Sequence, residues 1–201
     1  MFLFVKGIVI GLVIAVPVGP IGLLCIHRTL AGGTVSGLAS GLGVAAADAL
    51  AAGIAVLGLT LISAFLVSQE AWLHLAGGLF LCYLGVRTFL ARPAKEARAP
   101  KANGLLGDFV STFFLTFTNP VTISSFVAIL AAFGLGGASE SYLATAVLIA
   151  GIFIGSALWW IILGVPLHLN GTKFNTEGLQ WLSRISGVLI TGFGFIVLLA
   201  G

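Results

Sequence analysis

Six stretches of about 20 or more consecutive, mostly apolar residues fill nearly the whole chain, and a hydrocarbon layer roughly 30 Å thick needs about that length to be crossed by a helix. They run approximately Gly7–Leu30, Gly37–Leu61, Ala71–Leu90, Gly107–Phe133, Tyr142–Val165 and Leu179–Ala200. Only 7% of the residues are charged, against roughly 25% in a soluble domain. So few charges cannot cover a water-facing surface, and a mean hydropathy of +1.19 points to lipid as the solvent. The connections are short, so residues 1–201 are read as a single membrane domain. Its first apolar run follows Lys6, but it outlasts a typical signal-peptide core and has no small-residue cleavage site, so its retention is expected.

The formal net charge of +3 matters through its distribution. Lys and Arg concentrate on the cytoplasmic side of membrane proteins. Arg92, Lys95, Arg98 and Lys101 crowd the connection after the third span, Arg28 opens the one after the first, and Lys173 lies in the one after the fifth. On the other side Lys6 alone is basic, and near Glu70 and Glu140 there is no Lys or Arg. Odd-numbered loops are therefore expected inside and both termini on the periplasmic side. The bilayer is the expected partner, and nothing in this charge pattern calls for nucleic acid.

A repeat runs through these spans. Gly7 and Pro20 recur at the same spacing as Gly107 and Pro120. Gly43 in the second span answers to Gly151 in the fifth. Trp72, Gly78 and Gly85 in the third answer, in order, to Trp181, Gly187 and Gly194 in the sixth. A unit of three spans is odd, so its second copy enters the membrane from the opposite side. The expected fold is thus all-α, with six transmembrane helices arranged as two inverted three-helix repeats. The first covers about 1–91 and the second about 105–201, with a basic linker at about 92–104 between them. Inverted repeats are the device by which many secondary transporters alternate access to a midplane site.

The chemistry points to the centre of the spans. Pro17-Val18-Gly19-Pro20 breaks the first span and Thr118-Asn119-Pro120 breaks the fourth, because proline removes a backbone donor and clashes one turn back. Each break lies about 14 residues into its span, roughly 20 Å at 1.5 Å per residue. Paired broken helices mark transporter sites, where freed N–H groups at half-helix N-termini suit a carboxylate. Pro17, Gly19, Pro20, Asn119 and Pro120 are accordingly substrate-binding candidates. Asp48 is the acidic residue deepest in a span, where an ionisable group is expensive and functional by default. It is the candidate for a substrate ammonium and for proton coupling. Its counterpart in the second unit is Ser156, which joins the candidate site, as does the hydroxyl of Tyr83.

Other polar residues have blander readings. Cys25 and Cys82 form no CxxC pair and pack as small hydrophobes. His27, His74 and His168 sit near span ends without metal-ligand spacing. Trp159 and Trp160 suit an interfacial belt, and Asp108 and Arg184 suit snorkelling at an interface. No metal or cofactor is expected. The glycine-rich second span is a packing face compatible with a homodimer.

Taken in order, Pro17-Val18-Gly19-Pro20, Gly37 through Asp48, Gly77-Gly78-Leu79-Phe80-Leu81-Cys82-Tyr83-Leu84-Gly85, Asn119-Pro120 and Arg184-Ile185-Ser186-Gly187 resemble the LysE/RhtB family of amino-acid exporters. That resemblance covers nearly the whole chain. It implies a six-helix inner-membrane exporter driven by the proton gradient, with a cationic or neutral amino acid or a close derivative as substrate. An intramembrane enzyme would need a nucleophile–base or metal constellation that the sequence lacks, so no enzymatic activity is expected. The family often carries a charged stretch after Asn-Pro, whereas Val121-Thr122-Ile123 follows here. The alternatives are a metal-ion exporter, which needs His, Cys or carboxylate clusters, and a thiol-electron carrier, which needs a reactive cysteine in each half.

Overall fold

A computed structural model describes residues 2–16, 20–61, 70–90, 104–133, 141–169 and 176–200. Every element within them is a helix: α1 (Phe2–Ala15), α2 (Pro20–Leu61), α3 (Glu70–Leu90), α4 (Gly104–Phe117), α5 (Pro120–Ala132), α6 (Tyr142–Leu169) and α7 (Thr176–Ala200). Helices satisfy their own backbone hydrogen bonds, which lipid demands. The basic linker Arg92–Lys101 and the connections around Glu140 and Lys173 lie outside the described residues.

Among the described residues, two helical stretches, Ile21–Gly58 and Tyr142–Gly164, are long and apolar enough to cross a membrane. A third candidate is the pair α4 and α5, bent by 63° at Thr118-Asn119. Phe2–Ala15 and Gly78–Leu90 are shorter apolar helices. The first expected span is thus divided: α1 ends at Ala15, and the chain resumes as helix at Pro20.

Helix α2 carries both the remainder of that span and the whole of the next. A straight helix of its 42 residues would be about 63 Å long at 1.5 Å per residue, twice the hydrocarbon thickness. The chain solves this at Gly33, whose φ of 81° and ψ of 176° interrupt the helix. Only glycine visits that region readily, since it has no Cβ to clash with the neighbouring carbonyl.

Packing follows small residues. Helix α1 lies on α6, α3 lies on α7, and α2 packs against both α4 and α6. At the α1–α6 crossing, a Cβ on Gly7 would strike the Leu148 carbonyl, and one on Gly155 the Ile8 carbonyl. Between α3 and α7, Gly78 faces Gly194 and Gly85 faces Gly187. Such contacts bring backbones together where lipid tails offer no hydrophobic drive for association. The main core cluster forms around Ile10, Ala51, Leu81, Phe126, Leu148 and Ile190, one each from α1, α2, α3, α5, α6 and α7.

Three sequence-based expectations change here. Asp108 does not snorkel: it is 1% exposed and pairs with Arg28, itself 4% exposed. Arg28 therefore does not open a solvated loop, because the turn at Gly33 folds the chain back over it. Trp160 does not stand in an interfacial belt; it is buried with Cys25, Ile26, Val44 and Leu163, and Trp159 packs against the same cluster. The reason is register, since Trp160 lies one turn from Ser156 on the face of α6 turned toward α2.

Candidate functional site

A cavity of about 300 Å³ lies where the two helix breaks converge. Ala15, Ile21 and Gly22 line it from either side of the first break, and Asn119 and Val121 from the second. Pro17 and Gly19 lie outside the described residues, and Pro20 is described in its helical backbone alone. Pro120 opens α5 at its first position, with an exposed ring, so that Asn119 rather than the proline forms the wall.

The second break is well braced. Asn119 caps α5: its Oδ1 accepts from the Val121 N–H at 3.1 Å, while its carbonyl accepts from the Thr122 N–H at 3.0 Å. The Asn119 N–H donates in turn to the Thr116 carbonyl at 3.2 Å. A helix end inside lipid needs such partners.

Asp48 stands on the cavity wall with 2% of its surface exposed, one turn from Val44. The Ser156 hydroxyl, completely buried on α6, donates to Asp48 Oδ2 at 2.7 Å. The two residues that answer to each other in the repeat are therefore in direct contact. No described cation pairs with Asp48.

Tyr83 is not brought to this site. It is 61% exposed, because α3 turns Leu81, Leu84 and Thr88 toward the cavity and residue 83 projects from the other side of the helix. Arg87, one turn beyond Tyr83 and likewise exposed, still lines the cavity because its long side chain reaches around to it, and sequence reading passed it over. Its signal was present: a lone basic residue placed ahead of the third span's end at Leu90.

Two further wall residues are notable for what they lack. Thr116 Oγ1 and Trp160 Nε1 are buried and have no hydrogen-bond partner among the described residues. Buried polar atoms are rarely left so, and on a cavity wall they are groups that a polar ligand can satisfy.

A second polar cluster lies apart from the cavity wall. Arg28 Nε faces Asp108 Oδ1 at 3.2 Å, and Ser36 Oγ donates to Asp108 Oδ2. Arg28 Nη1 donates to the Asp108 carbonyl at 2.9 Å and to Ser40 Oγ at 3.2 Å, and Nη2 donates to Ser111 Oγ at 2.9 Å. Thr112 Oγ1 donates to the Ser40 carbonyl at 2.8 Å. This network joins the two parts of α2 to the start of α4. Polar pairs one turn apart, Ser36 with Ser40 and Asp108 with Thr112, were its sequence trace. Among the described residues, no three His, Cys, Asp or Glu side chains gather as metal ligands.

The family model of the LysE type translocator matches residues 12–201. The chain belongs to that family. This LysE type translocator is 28% identical over 201 residues to YcgF of Bacillus subtilis (strain 168), a protein named for amino acid efflux, covering 97% of the chain and 94% of the relative. It is also 27% identical over 169 residues to the threonine efflux protein of Escherichia coli (strain K12), with 79% of each covered. No solved structure matches it.

Proposed function

We propose that the chain exports amino acids across the bacterial inner membrane, exchanging them for protons at the cavity where its two broken helices meet. One observation carries the reading: a carboxylate without a described cation partner, Asp48, on the wall of a 300 Å³ cavity between two helix breaks. An intramembrane carboxylate requires a cation or a proton. A substrate ammonium supplies the first, and the periplasm supplies the second. Alternation between them couples the two fluxes. Membership in the family, and relatives named for efflux of amino acids and of threonine, support the substrate class.

The six-span, inverted-repeat architecture is part of the proposal, and reciprocal contacts support it. Exchanging each residue for its repeat counterpart turns the Gly78–Gly194 contact into Gly187–Gly85, which is also present. The residues Asp48 and Ser156 bond to each other, as two equivalent positions do on a two-fold axis. Cys82 Sγ contacts the Thr191 carbonyl at 3.8 Å, a second pair of this kind. The α1–α6 and α2–α4 packings exchange in the same way.

Transport in proteoliposomes decides the matter. The expected result is accumulation of amino acids on the side from which protons are drawn, abolished when the pH gradient is collapsed. Asp48→Asn preserves size and some hydrogen bonding but does not titrate. It is expected to abolish accumulation in a properly inserted protein; gradient-driven pumping at the parental rate and pH dependence would make Asp48 structural.

A further inference from the structure

Charges that a transporter keeps within its spans are expensive unless they are paired or used, and a census of them narrows the substrate. The described charged side chains are those of Lys6, Arg28, Asp48, Arg87, Asp108 and Arg184. Arg28 and Asp108 satisfy each other. Lys6, near the start of α1, lies 4.7 Å from the Phe2 ring centre; Arg184 and Arg87 are both exposed, but only Arg87 lines the cavity. What remains is one acid and one base, Asp48 and Arg87. Neither makes an ion pair among the described residues, and both line the same cavity.

We infer that the site is built for a zwitterion of zero net charge, with Asp48 holding the α-ammonium and Arg87 the α-carboxylate of a neutral amino acid. The inference rests on the export reading above and goes further, by excluding substrates with a charged side chain. An arginine fork matches a carboxylate in two parallel hydrogen bonds. With both wall charges engaged by the backbone ends of the substrate, a second ammonium, as in lysine, would have no further acid to meet it among the described wall residues. The rest of the wall says the same: Val13, Ile14, Val44, Leu81 and Ile129 offer apolar surface, and the unpartnered Thr116 hydroxyl offers a neutral hydrogen bond. At about 300 Å³ the cavity is at the small end of ligand pockets, suited to a single amino acid.

The test is counterflow into proteoliposomes of the full chain, with threonine and leucine as neutral zwitterions, lysine and glutamate as charged competitors, and leucine methyl ester as a probe with an ammonium but no carboxylate. Threonine or leucine is expected to move, and lysine and glutamate to compete at least about tenfold less well. Arg87→Gln is expected to raise KM for the zwitterion about tenfold or more, the scale of a lost charged hydrogen bond. The methyl ester, lacking the carboxylate, is expected to compete at least about tenfold less well with the parental protein, and elution of Arg87→Gln as a single species reports a folded protein. Arg87→Lys should recover part of the loss. Preferential transport of lysine, or an unchanged KM in Arg87→Gln, overturns the inference and leaves amino-acid export standing. If no amino acid moves with protein that elutes as a single species, export itself falls and the inference with it.

Discussion

Arg28 and Asp108 are charges that neither lipid nor a packed helix interface tolerates singly, and each is held by several partners rather than one. Removing one member of a buried pair leaves the other uncompensated, which costs about 3–5 kcal/mol, whereas replacing both by apolar residues is often near neutral. Arg28→Met should therefore lower the apparent Tm of the detergent-solubilised protein sharply, and Arg28→Met with Asp108→Leu should recover most of the loss. If the double variant is as labile as the single one, the network does more than balance charge. Sequence reading placed both residues at a membrane interface because their distance from a span end is all that a linear reading can measure. Their partners, Ser36, Ser40 and Ser111, become neighbours only through the turn at Gly33 and the crossing of α4.

For single elements, the decisive positions are those where backbone geometry rather than hydropathy governs. Gly33 adopts φ 81° with nothing within 4 Å of an added Cβ, so Gly33→Ala tests conformation free of any clash. It should cost about 1–3 kcal/mol through strain and lower the apparent Tm. Gly58→Ala is the matched control, since Gly58 is helical and equally uncrowded; it should be neutral or stabilise by up to about 1 kcal/mol. Equal effects at the two sites would mean that the turn at Gly33 stores no strain. The breaks in the first and fourth spans were legible beforehand, because proline acts on its own turn whatever surrounds it. The helical continuity of α2 through the expected first loop was not legible. Residues 31–36 read as a connection by their glycines, yet helix resumes on both sides of the single break.

The molecule as a whole is proposed to be two units of opposite orientation, and side-specific labelling tests this directly. In a variant with Cys25 and Cys82 replaced by alanine, a single cysteine introduced at Ala97 should react from the cytoplasmic side. Cysteines at either terminus should react from the periplasmic side. A C-terminus on the same side as Ala97 would rule out six spans with odd units.

By itself, the sequence determined that the chain is helical and solvated by lipid, where its helices break, and that Asp48 lies deep. These properties are local: hydropathy is summed along a span, and a proline or a buried carboxyl carries its penalty wherever the helix sits. Only the tertiary structure decided which faces meet. It set Arg87 but not Tyr83 on the wall of Asp48's cavity, buried Trp160, and joined Arg28 to Asp108. In water, an apolar stripe on a helix announces its inner face. Here lipid and core are equally apolar, so α1, α2 and α6 carry almost no such stripe, and the inward face is selected by small-residue contacts between helices distant in sequence.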